Sequence, residues 1–119
     1  VASRFVRVKF GYLNRGESMN VGILAWEHDA GNETPVLQRL LSDWGYVLAA
    51  FPHGMSGEEL RDDVIARVTT IKTYGDYFKV WERMGPYTPF EFTEPCYSTT
   101  SAAELLESMW QYFFTDRRK

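Results

Sequence analysis

The chain has 119 residues, with 45% hydrophobic and 24% charged side chains, proportions that fit one globular domain, 1–119, and exclude a largely disordered chain. Its formal charge is −3, from 13 Lys+Arg against 16 Asp+Glu; a general nucleic-acid coat needs a basic surface and is disfavoured. Aromatic residues make up 16%, enough to fill a small core with a few large side chains and to leave some for a partner surface.

Ser3–Tyr12 alternates, with Val6, Val8, Phe10 and Tyr12 on one side and Arg7, Lys9 and Gly11 on the other. A period of two predicts a half-buried strand, whose polar face Phe5 interrupts. Leu13–Ser18 is a loop, with turn chemistry from Asn14 and Gly16. Met19–Glu27 carries apolar residues on both faces, as a central strand does, and Gly22 within it marks a bulge or a close backbone approach. After a turn-rich His28–Thr34, the Pro35–Leu41 stretch reads as a third strand in a hairpin. Ser42-Asp43 then caps a short helix to about Ala50, with Trp44, Val47, Leu48 and Phe51 on one side and Pro52 as its stop.

Ser56-Gly57-Glu58-Glu59 is a capping box, and Leu60, Val64, Val68 and Ile71 form an apolar stripe behind it. Thr73-Tyr74-Gly75-Asp76 either starts a further helix or kinks one long helix, with Phe78 and Trp81 continuing the stripe. Gly85-Pro86 ends the helical region. Phe90-Glu91-Phe92, between Pro89 and Pro95, suits a short edge strand; Cys96–Thr100 reads as loop. Ser101-Ala102-Ala103-Glu104 opens a last helix with a wide apolar face of Leu105, Leu106, Met109, Trp110, Phe113 and Phe114. Strands first and helices later predict an α+β fold: a small antiparallel sheet (three N-terminal strands plus a short late strand) with three to four helices packed on one face.

The candidate binding residues are Arg15, Glu17, Asn20, Arg7 and Lys9. Glu17 and Asn20 flank the first hairpin, where a carboxylate and an amide serve equally to orient a ligand and to satisfy loop amides. Arg15 is placed to pair with Glu17 or to grip a phosphate or a partner carboxylate. Arg4, Arg7, Lys9 and Arg15 fall close together in sequence and could form a local basic patch, and Arg117-Arg118-Lys119 ends the sequence. His28 and His53, far apart, are too few for a metal centre, although His28 with Asp29 and Glu27 could form part of one. The single Cys96 forms no internal disulfide and has no neighbouring base, which fits a passive thiol in a reducing compartment, the cytoplasm. Ser98-Thr99-Thr100-Ser101 is a phosphate-friendly hydroxyl cluster, but capping the last helix explains Ser101. No nucleotide-binding, nucleophile-elbow or zinc-protease motif occurs, so no cofactor and no metal are expected. No apolar run reaches the roughly 18–20 residues of a membrane span, and Arg4, Arg7 and Lys9 break any signal-peptide pattern at Val1–Tyr12.

At Arg15-Gly16-Glu17-Ser18-Met19-Asn20-Val21-Gly22, after an aromatic-basic strand, the chain resembles the bacterial family of domain of unknown function 3037. The resemblance extends more loosely to Trp44–Pro52, Phe90–Pro95 and Glu104–Phe114, and the chain departs from the family pattern at Tyr74–Trp81. It implies a compact, stand-alone bacterial or phage protein, with no established reaction or catalytic residue, of a kind often thought of beside HipA-like kinases, which points to a protein partner. The expected function is a non-enzymatic protein-interaction module that regulates such a kinase or a host defence system, with self-association left open. The rivals are a small hydrolytic or nucleotide-directed enzyme with a cleft around Arg15, Glu17 and Asn20, and a nucleic-acid-binding protein using the basic residues.

Overall fold

The computed structural model describes residues 2–12, 17–50, 57–84 and 88–115, apart from the side chains of Tyr12 and Thr115. Strands β1 (Ser3–Tyr12) and β2 (Glu17–Glu27) form a long antiparallel hairpin. β3 (Leu37–Leu40) adds to the outer edge of β2. β4 (Phe90–Phe92) and β5 (Cys96–Ser98) share the other edge of β1. The sheet thus has five strands, in the order β3-β2-β1 followed by β4 and β5 end to end. Helices α1 (Gly45–Ala50), α2 (Gly57–Thr69), α3 (Tyr74–Glu82) and α4 (Ala102–Trp110) complete the α+β fold, and a π-helical turn, Gln111–Thr115, extends α4.

The alternation of β1 divides the molecule. Val6, Val8 and Phe10 point to one face, with Leu24 of β2 opposite Val6 and Phe92 and Phe90 of β4 opposite Val8 and Phe10; Trp26, opposite Arg4, lies on the same face. On that face Trp44 meets Phe10 edge-on at 5.4 Å, Tyr77 of α3 lies 4.8 Å from Trp26, and Gln38 Nε2 donates to the Ile71 carbonyl at 2.7 Å. Val47, Val64, Val68 and Ile71 are fully buried, so α1 and α2 keep the stripes expected of them. Phe5, Arg7, Ile23, Ala25 and Leu37 point the other way, and α4 covers them.

The helices therefore lie on both faces of the sheet rather than on one. Phe5, which interrupts the polar side of the first strand, supplies the reason: it is 8% exposed and packs on Phe113, 6.4 Å between ring centroids. Arg7 and Lys9 do not prevent this, because a long basic side chain can lay its stem on an apolar surface.

Two further expectations are corrected. Cys96–Ser98 is a strand, not loop: Thr93–Pro95 sets three residues of the edge chain against Val6-Arg7, and beyond that one-residue bulge the pairing with β1 resumes. Within the bulge Thr93 N donates to the Arg7 carbonyl at 3.0 Å and the Thr93 hydroxyl accepts from Arg7 N at 2.8 Å, so the ladder stays satisfied. In α3, Phe78 (44% exposed) and Trp81 (51%) face outward, while Tyr77 is buried. Residues 74, 77 and 80 and residues 78 and 81 are both stripes of helical spacing, and the position of Trp26 decides which one turns inward.

Between α2 and α3 the alternative of a fresh helix holds. Thr73 caps α3 in a reciprocal capping box with Asp76. Tyr74 N and Gly75 N donate to the carbonyls of Thr34 and Asn32 at 2.8 and 2.9 Å, pinning the start of α3 to the β2–β3 connection. A Cβ at Gly75 would sit 3.0 Å from the Asn32 oxygen, which explains a glycine in the first turn of a helix. The Ser56 cap, Phe51, Pro52 and the Gly85-Pro86 stop lie outside the described residues.

Candidate functional site

The residues singled out in the first hairpin do not form one site. Register partners share a face: Asn20 stands opposite Lys9, on the α4 side, whereas Glu17 stands opposite Tyr12, three residues away and on the other side. Asn20 is 3% exposed and its Oδ1 accepts from Arg7 Nη1 at 3.3 Å. The Arg7 guanidinium in turn lies 4.9 Å above the Phe113 ring. Lys9 lies between Asn20 and Glu91 in the register. Arg7, Lys9 and Asn20 are thus brought together beneath the end of α4. Glu17 is exposed at the start of β2, and Arg15 lies outside the described residues.

The basic cluster divides in the same way. Arg4 shares a face with Trp26 and Tyr97, opposite to Arg7 and Lys9. Its Nε donates to His28 Nδ1 at 3.1 Å, and the His28 ring meets Tyr97 edge-on at 5.0 Å. Glu27 caps α4 by accepting from Ala102 N at 3.2 Å, and no group of three metal-ligating side chains forms among the described residues. Cys96 is exposed, its Sγ 3.8 Å from the Glu94 carbonyl. His53 and residues 117–119 lie outside the described residues.

The surface with most unused chemistry is a groove of about 230 Å³ between α3 and the β4–β5 bulge, lined by Tyr74, Tyr77, Phe78, Trp81, Phe92, Thr93, Glu94 and Pro95. Two sequence features build it. The outward stripe of α3 supplies Phe78 and Trp81, whose rings lie 5.5 Å apart. The bulge brings Glu94 and Pro95 to the rim. Tyr74, Tyr77 and Phe92 make the floor, with Tyr77 5.8 Å from Tyr74 and 5.0 Å from Phe92.

Tyr77 is 5% exposed, and its hydroxyl has no hydrogen-bond partner among the described residues. Burial, reinforced by Tyr74, pushes its pKa up to about 12, so the phenol is held neutral. Among the described residues the Glu94 carboxylate has no ion-pair partner and the groove lining holds no basic side chain. Sequence reading missed Tyr77, Phe92 and Glu94 as site residues. The available signals were the second aromatic stripe of α3 and the proline-flanked edge strand.

A larger cleft of about 540 Å³ is lined by Ala66, Arg67, Thr70, Val80, Arg83, Met84 and Phe90. Arg67 Nε there is already within 3.3 Å of Asp63 Oδ2.

Comparison with protein-family models, curated proteins and solved structures gives no match. Among the described residues no helix is long and apolar enough to cross a membrane.

Proposed function

We propose that this protein is a small, non-enzymatic interaction module that docks a protein partner on the aromatic groove between α3 and the β4–β5 bulge. The observation that carries the reading is the outward stripe of α3: Phe78 and Trp81, 44% and 51% exposed, stand beside an aromatic floor. Exposed Trp and Tyr are costly to leave in water and contribute large contact area at little entropy cost, which is why such residues anchor interfaces. The block at Arg15–Gly22 supports a bacterial or phage source and, through the family it resembles, a partner such as a HipA-like kinase in the cytoplasm. The enzyme reading has less support, because Glu17 and Asn20 stand on opposite faces of the hairpin. The nucleic-acid reading weakens for the same reason, since Arg4 faces away from Arg7 and Lys9.

Affinity purification from the native host, read by mass spectrometry, tests this. The wild-type protein retains a partner that the Phe78→Ala/Trp81→Ala variant loses, at unchanged melting temperature. A protein that runs alone and turns over a small substrate ends the interaction reading.

A further inference from the structure

The groove is selective in its chemistry. Its faces are aromatic, its rim bears the Glu94 carboxylate, its floor includes Tyr77, and among the described residues neither that carboxylate nor the Tyr77 hydroxyl has a partner and no cation lines the groove. At about 230 Å³ it falls below the roughly 300–1,000 Å³ usual for small-molecule sites. It suits one long side chain better than a free metabolite.

We infer that the groove takes the arginine side chain of a peptide segment in the partner, an assignment that rests on the interaction function proposed above. Aromatic faces attract a cation through the ring quadrupole, and arginine more than lysine, because the planar guanidinium stacks on rings and is weakly hydrated. In this groove the guanidinium lies against Trp81 and Phe78. Its N–H fork donates to the Glu94 carboxylate and to the Tyr77 oxygen. The arginine stem covers Phe92, as long basic side chains do on apolar surfaces. The carboxylate makes the site a charge-complementary one, and an acidic or purely aliphatic segment would leave Glu94 unpaired against apolar surface.

The test is an NMR titration of the isotopically labelled full chain with a blocked Ala-Ala-Arg-Ala-Ala peptide, and with the same peptide carrying citrulline, the neutral isostere of arginine. The Trp81 indole signal is assigned from Trp81→Phe. The arginine peptide shifts Trp81, Tyr77, Phe92 and Thr93 signals and binds at least fivefold more tightly than the citrulline peptide. Glu94→Gln removes that preference, and Tyr77→Phe, which keeps the buried ring, weakens the arginine peptide severalfold. Equal binding of the two peptides, shifts confined to other surfaces, or groove signals that respond only to self-association overturn the assignment. The two levels separate in the lysate experiment. Capture that depends on Trp81 but not on Glu94 leaves the interaction function standing and removes arginine as its ligand. Capture indifferent to both removes the groove as well.

Discussion

Gly22 and Asn20 are two residues apart and do different work. A Cβ on Gly22 would lie 2.9 Å from the Arg39 carbonyl oxygen and collide with the Leu40 side chain, so the close approach expected of this glycine is the contact between β2 and β3. Gly22→Ala pushes the two strands apart, and overpacking of this kind costs about 1–3 kcal/mol, measured by urea denaturation. Asn20 is buried against the Arg7 guanidinium. Asn20→Ala leaves that cation without its acceptor and lowers stability by about 1–3 kcal/mol. Glu17→Ala, at an exposed position, stays within about 0.5 kcal/mol of wild type. The contrast between the last two separates a residue that ties β2 to the Arg7 side chain of β1 from one that only begins a strand.

Helix starts carry the predictions at the next scale. Asp76 accepts from Lys72 N and Thr73 N, both at 3.1 Å, and these backbone donors hold its carboxyl below the usual value of 3.8. A carboxylate with a lowered folded-state pKa contributes stability above its unfolded pKa and loses it as pH falls through the folded value. Melting curves of wild type and Asp76→Ala therefore differ at neutral pH and converge on acidification below about pH 3.8. At α4 the Ser101 hydroxyl accepts from Glu104 N at 3.3 Å, while Glu27 reaches Ala102 N from the end of β2. Ser101→Ala costs about 1 kcal/mol by chemical denaturation, the usual worth of such a cap. Ser101 and Glu104 place the helix start in the sequence. The contribution of Glu27, 75 residues earlier, comes from the sheet that carries both ends.

At the scale of the whole molecule, α4 is the second wall of the sheet. Phe5, Ile23 and Ala25 are buried on that face, with Leu105, Trp110 and Phe114 closing over it. A chain truncated before Ala102 exposes this apolar face, and we expect it to expose dye-binding hydrophobic surface or aggregate instead of melting cooperatively. The groove variants behave oppositely, because Phe78 and Trp81 contribute to the surface and not to the core. Their melting temperature is the control that makes a loss of partner binding interpretable.

Local patterns were legible where one face of an element dominated: the alternation of Ser3–Tyr12, the doubly apolar Met19–Glu27, the Leu60–Ile71 stripe and the cap at Ser101 follow from periodicity and hydrogen-bonding chemistry within a few residues, whereas Thr73 left a fresh helix and a kink equally open. Patterns that needed a distant partner were not. Whether Tyr77 or Trp81 of α3 turns inward depends on Trp26. Whether Cys96–Ser98 pairs depends on a bulge bridged by Arg7 and Thr93. Whether Phe5 and Arg7 face water or a helix depends on Phe113. The candidate groove arises from such choices, since its aromatic wall is the α3 stripe that Trp26 leaves outside and its acidic rim is the bulge set against Arg7. Short-range chemistry wrote the elements into the sequence; which surplus aromatics were buried and which were left facing solvent was settled by competition for the two faces of one sheet.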